Sequence, residues 1–343
     1  MIVRKAVVHE ALLLDIPENA IIWYSKLRSV EEDKRGVEVI FANGSSDVAD
    51  LVIGADGIWS VVRECISGEL YAPLREPNSF KFGGDPHWQM YQKREHPPVY
   101  EGFTGVGGSI PFSMLSPRIR ENLKTKDVIM TSGPSGLLLG YSQTIMIPDD
   151  DPSIEWWSIY ESITPPNQSH SHPLAVRAHL LSQYALWKSP HDSSDMSPYK
   201  EIIKLGCTRQ SDLSFLPKKD ELRRPLWSSP SGTGRILLIG DAAHVIPYKS
   251  RQGASSAIED AVAIGILLHK FHEVDGLGIK NALKWVVRAY KDVRTERVQK
   301  ILNLANGKRK KHPWQKAQNF FLNNFGNLYK YNVEAAVQQY VNK

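Results

Sequence analysis

Two stretches hold the residues whose types and spacing could do chemistry. The first is Gly54-Ala55-Asp56-Gly57-Ile58-Trp59-Ser60-Val61-Val62-Arg63. It reads as a strand end, a tight glycine turn and a helix with a polar cap. Asp56 can accept hydrogen bonds from backbone N–H groups or from a ribose hydroxyl. Arg63 lies one helical turn beyond Ser60 and can reach back toward that carboxylate. The second stretch is Gly240-Asp241-Ala242-Ala243-His244, followed by Gln252-Gly253-Ala254 and then Glu259-Asp260. A short apolar strand, Arg235–Ile239, leads into it, and a long helix, Ala254–Phe271, leads out. The N-terminus of such a helix offers unpaired N–H groups to negative charge. Glu259 and Asp260 read as structural carboxylates near a buried turn rather than as catalytic groups.

The elements that must position these residues follow from periodicity. Residues 4–16 space their apolar side chains as a helix does, and Pro17 with Asn19 ends it. Strand-like runs follow at Ala20–Trp23, Lys26–Glu31 and Val37–Phe41, then an Asn43-Gly44 hairpin turn and a return strand through Ala49–Ile53. Between about 75 and 225 the texture changes. Pro, Gly, Trp and Tyr are frequent, and strand patterns dominate at Val128–Thr131, Leu137–Ile147 and Glu155–Tyr160. The glycine clusters Gly105–Gly108 and Gly133–Gly136 read as turns, and Ala175–Trp187 as a helix. Helices cover Asn281–Asn306 and the region after Trp314. The fold class is α/β, with an inserted, mostly antiparallel sheet and C-terminal helices. The expected division is 1–74 with 226–307 as one α/β domain, 75–225 as the sheet domain, and 308–343 as a helical tail.

Composition excludes several function classes. The chain has 343 residues, 42% hydrophobic and 23% charged, and no apolar run long enough for a membrane span. Its net charge is +5, partly from the single run Lys308-Arg309-Lys310-Lys311. No nucleic-acid module accompanies that run, so it reads as a solvated helix end or loop. Two cysteines, Cys65 and Cys207, suit a reducing, cytoplasmic compartment better than a disulfide framework. The histidine pair His170 and His172 sits in a polar loop without a carboxylate or thiol at ligand spacing, so no metal is expected.

The two stretches resemble the class A FAD-dependent monooxygenases, in particular the salicylate-hydroxylase-like members of fungal secondary metabolism. The first matches that family's G-A-D-G-x-x-S-x-V-R pattern at every defined position. The second is similar to its later flavin motif, where an aspartate meets the ribityl chain and a helix N-terminus faces the pyrimidine edge. The resemblance implies a flavoprotein-monooxygenase-like fold with flavin contacts from Asp56, Arg63, Asp241 and Gly253. It aligns Met1–Arg4 with a helix that follows the family's G-x-G-x-x-G loop, so the fold is expected in truncated form, with that loop upstream. The loop between the aspartate and the helix departs from the pattern. Tyr248 stands where the family has Pro, and Arg251 where it has Gly or Ala. Arg251 and Lys249 would crowd the ring position if they point inward, and would leave it open if the loop bulges toward water.

These departures make a flavin-independent enzyme the first expectation. Such an enzyme would fold an apolar terpenoid or polyketide intermediate for cyclisation, isomerisation or Diels–Alderase-like cycloaddition. Tyr248, Lys249, Arg251 and His244 are its candidate catalytic groups, polarising a carbonyl. Trp88, Tyr91, Phe103, Trp156 and Tyr160 are candidates to line the substrate pocket. The expected partner is a small apolar substrate, with no nucleic acid and no stable membrane insertion. The alternatives are an FAD-dependent monooxygenase using NAD(P)H, and a non-catalytic ligand-binding relative.

Overall fold

A computed structural model describes residues 5–33, 35–58, 60–67, 99–124, 128–132, 137–144, 152–161, 172–185, 198–208, 214–220, 226–246, 250, 252–271, 278–306 and 330–342. In chain order the elements are α1 (Lys5–Leu13), β1 (Leu27–Glu32), β2 (Val37–Phe41), β3 (Ser46–Ala49), β4 (Val52–Gly54) and α2 (Val61–Ser67). Then come β5 (Val99–Pro111), α3 (Pro117–Lys124), β6 (Val128–Ser132), β7 (Leu138–Gln143), β8 (Ser153–Glu161), α4 (Pro173–Gln183), α5 (Pro198–Gly206) and β9 (Ser214–Asp220). The last are β10 (Ile236–Leu238), α6 (Gly253–Phe271), α7 (Ile279–Asn306) and α8 (Val333–Val341). None of the described helices is long and apolar enough to cross a membrane.

The described residues fall into two compact units. In the α/β unit, β1, β2 and β3 form an antiparallel sheet, turned at Asn43-Gly44, where Gly44 adopts φ +86°. A second, parallel pair sets Val52, Ile53 and Gly54 of β4 opposite Ile236, Leu237 and Leu238 of β10. All three β10 side chains are buried, as a continuous apolar run in a parallel pair should be. They join a core with Val62 of α2, Ala263 and Leu267 of α6, and Val286, Tyr290 and Ile301 of α7. Val337 of α8 is fully buried in the same core. The 333–341 segment therefore belongs to this unit instead of forming a separate tail.

The other unit is a five-stranded sheet in the order β6-β7-β8-β5-β9. Its core gathers Trp156, Tyr141, Tyr184, Tyr199, Ile154 and Leu180. Gly105–Gly108, expected as a turn, continue strand β5 and pair with Trp156–Ile159 of β8. At Gly107 the strand needs glycine, because a Cβ there would lie 2.5 Å from the Trp156 carbonyl of β8. Residues 5–22 group with this sheet unit, contrary to the sequence-based division. Ala20–Trp23 forms no strand. Glu18–Ala20 is one 3-10 turn, and Ile22 and Trp23 are left exposed without a pairing edge. After Trp314 a helix is seen at Val333–Val341; residues 307–329 lie outside the described residues.

Candidate functional site

The site is built where the two parallel strands end. β4 runs into the Asp56 turn and β10 into the Gly240 turn, so both turns lie at the carboxyl ends of paired strands. That is where ligands sit in open α/β sheets.

Asp56 is committed to the backbone. Its Oδ2 accepts from the N–H groups of Val61 (2.7 Å) and Val62 (3.2 Å), satisfying the first turn of α2. Ser60 Oγ takes the Arg63 N–H at 2.9 Å. Arg63 is buried, and its guanidinium donates to the carbonyls of Ile58, Asp241 (3.3 Å) and Ala242 (2.8 Å). The expected reach toward Asp56 is thus replaced by a tie between the two turns. Carbonyls at the Gly240 turn have no helical partner, and the arginine fork satisfies them.

Gly240 adopts φ +57°, a left-handed conformation that favours glycine, and opens a single 3-10 turn through Ala242. Its N–H donates to Asp260 Oδ2 at 2.8 Å, and His244 Nε2 lies 2.7 Å from the same oxygen. The other oxygen, Oδ1, accepts from Arg294 Nε at 2.7 Å. Asp260 and Arg294 are fully buried. Arg294 Nη1 also lies 2.7 Å from Glu259 Oε2. Arg297 grips Glu259 with two bonds, 3.1 and 2.7 Å, and stands 4.5 Å from the Tyr331 ring. Two arginines of α7 therefore meet two carboxylates of α6, which keeps the buried cluster neutral overall apart from the histidine. Burial alone would push the Asp260 carboxyl up. The hydrogen bond and charge of His244, then those of Arg294, more than reverse this and hold it below the usual carboxylate value.

Asp241 differs from every carboxylate around it. It is exposed, and among the described residues its carboxylate has no hydrogen-bond partner. Partial desolvation pushes its carboxyl up, against the opposing pull of His244 and Arg63. At the start of α6, a Cβ added to Gly253 would meet nothing within 4 Å. Gln252 beside it is buried, and its Nε2 has no hydrogen-bond partner. A carboxylate that can accept hydroxyls and the N–H groups of a helix N-terminus are the acceptor and donor types that could hold the ribityl chain and pyrimidine edge of a flavin.

The expected site residues divide accordingly. Asp241 stands on the turn after β10, and Gly253 opens α6. Asp56 and Arg63 hold the backbone of that site. His244 is 2% exposed and bound to Asp260, packed 5.1 Å from the Trp227 ring. Tyr248, Lys249 and Arg251 lie outside the described residues, as do Trp88 and Tyr91 and the side chain of Phe103. Trp156 is buried in the sheet core, its ring covering Gly206, and Tyr160 packs at 4.8 Å on His179. No cluster of three or more metal-ligating groups occurs among the described residues. Sequence reasoning missed Arg294 and Arg297. The available signal was two arginines on the face of α7 that otherwise carries Val286, Val287, Tyr290, Val298 and Ile301. Cations at apolar positions require buried carboxylates.

Residues 227–305 match the FAD binding domain family. The chain is 26% identical over 312 residues to 3-amino-4-hydroxybenzoate 2-monooxygenase of Streptomyces platensis, covering 88% of this chain and 60% of that protein. It is 25% identical over 290 residues to the FAD-dependent monooxygenase thnD of Trichoderma harzianum, covering 82% of this chain and 62% of that one. The chain thus spans about three fifths of the length of these curated relatives. Among solved structures, Klebsiella pneumoniae HpxO complexed with FAD and uric acid aligns with a TM-score of 0.59 at 18% identity, covering 98% of this chain and 71% of that chain. FqzB aligns with a TM-score of 0.59 at 20% identity, covering 93% and 64%. These likenesses support FAD as the cofactor of the family; they lend no support to the expectation of a cofactor-free site.

Proposed function

This chain is a relative of the class A flavoprotein monooxygenases, and we propose that it is an FAD-dependent oxygenase that tailors a small apolar intermediate. The observation that carries this reading is the Asp241 carboxylate, which has no hydrogen-bond partner among the described residues, on a turn that packs against α6. FAD, when bound, supplies the electron transfer and oxygen chemistry that no side chain can. The chain's own residues bind and orient. Asp241 would accept ribityl hydroxyls, and the first N–H groups of α6 would hold the pyrimidine end, where they favour negative charge. Arg63 and Asp260 hold the turn between them.

Flavin-free cyclisation, isomerisation or cycloaddition, the reading favoured by the sequence, rests on the departures from the family pattern, with Tyr248, Lys249, Arg251 and His244 as its candidate groups. One experiment separates the two. Purified full-length chain is titrated with FAD, following the quenching of flavin fluorescence, and its visible spectrum is recorded. One FAD per chain with blue-region absorption, weakened in Asp241→Ala, is the expected result. A colourless protein that takes up no FAD yet still converts a polyene substrate would refute it in favour of the cyclase.

A further inference from the structure

We infer that Asp260, backed by Arg294, is a positioning residue that preorganises the Gly240–His244 turn and so presents Asp241 to a ligand. The turn's polar groups are met from outside it. The Gly240 N–H and His244 Nε2 are both met by Asp260 Oδ2, at 2.8 and 2.7 Å. The carbonyls of Asp241 and Ala242 are met by Arg63. The second oxygen of Asp260 is pinned by Arg294 Nε at 2.7 Å, and Arg294 Nη2 is itself held by Ser256 through its carbonyl (3.3 Å) and Oγ (3.2 Å). A carboxylate that accepts on both oxygens cannot rotate away, and it fixes a left-handed glycine whose direction sets the next side chain. Asp241 is that side chain, and its carboxylate alone in the turn is left without a hydrogen bond among the described residues. Asp260 is fully buried beneath the turn, so its influence runs through the backbone.

The inference rests on the proposed flavin reading for its affinity arm only. Three measurements test it on the full chain: hydrogen exchange of peptides covering 240–244, the thermal midpoint, and FAD affinity. Asp260→Asn is expected to speed exchange at the turn, lower the midpoint and weaken FAD binding about tenfold or more, as loss of outer-shell support does elsewhere. The double variant Asp260→Asn/Arg294→Met removes both charges and leaves Glu259 paired with Arg297. It is expected to recover thermal midpoint while the turn still exchanges fast and FAD still binds weakly. That split separates positioning from bulk stability. Turn exchange like the wild type in both variants overturns the inference. So does exchange that recovers in step with the midpoint. A wild-type chain that binds no FAD overturns the functional reading instead, and exchange alone then decides this one.

Discussion

The two units bury polar groups in opposite ways. In the α/β unit the buried polar residues include Arg63, Arg235, His244, Arg294 and Arg297, engaged with carboxylates or carbonyls, and Asp260, which meets His244 and Arg294. Among the described residues of the sheet unit the buried polar side chains are Thr104, Ser142, Thr144, Ser153 and Ser158, every one a neutral hydroxyl. Its tyrosines behave alike. Tyr184 Oη bonds Ser158 at 2.7 Å and the Leu138 carbonyl at 2.8 Å, and Tyr199 pairs with Thr131. Hydroxyls in an apolar sheet satisfy themselves at little electrostatic cost. Buried charge is costly unless paired, so its presence in one unit marks the place where backbone turns must be held in unusual conformations.

Removing a charge from the α/β unit should give the largest effect. Arg294→Met leaves Asp260 Oδ1 without its buried guanidinium partner, and urea unfolding at neutral pH should show a loss of about 3–5 kcal/mol. This loss should depend on pH. Asp260 is held below its ordinary value of 3.8, so its contribution is complete above that value. It disappears as pH falls through the lower folded value. The gap between wild type and variant should therefore narrow in acid; a gap unchanged from neutral pH to about pH 2 would show that charge pairing is not what stabilises this unit.

A smaller effect is expected in the sheet unit. Tyr184→Phe strands the Ser158 hydroxyl and should cost about 1–2 kcal/mol. No carboxylate is involved in its bonds, so the cost should stay constant over the same acid range. A cost that shrinks in acid would erase the contrast between the units.

The smallest effect should have the opposite sign. Asp241 is raised above its ordinary value, so its ionised form opposes folding above the folded value. Asp241→Asn should raise the thermal midpoint slightly at neutral pH. That gain should fade as pH falls toward the ordinary carboxylate range, while FAD affinity decreases. A variant that is less stable at neutral pH would place Asp241 among the structural carboxylates.

Both strand–turn–helix joints were legible in the sequence because the whole motif is local. Gly54 to Arg63 carries its strand end, its turn and its cap within ten residues, and Ser60 and Asp56 cap α2 as their types require. The α6 and α7 spans were legible from their apolar period. What joined the two turns was not. Arg63 meets Ala242 across 179 residues, and Arg294 meets Asp260 across 34, and no local pattern encodes either partner. Spacing alone let Arg63 reach Asp56; the unsatisfied carbonyls of a distant turn made the stronger demand. Gly105–Gly108 misled for a related reason. Glycine signals a turn only when the neighbouring strand leaves room for a side chain, and β8 does not.

The Arg63 tie also sets an order of synthesis. Translation at about 5–20 residues per second needs about 10 to 40 seconds to bring Ala242 out after Arg63. Through that interval β4 has no parallel partner, and the carbonyls that Arg63 will bind do not yet exist. The strands of the sheet unit, all within 99–220, emerge and can pair during the wait. The α/β unit, whose β4 and α2 precede the sheet strands and whose β10 follows them, is thus the last to close, and its apolar β4 and α2 faces wait for their partners in the nascent chain.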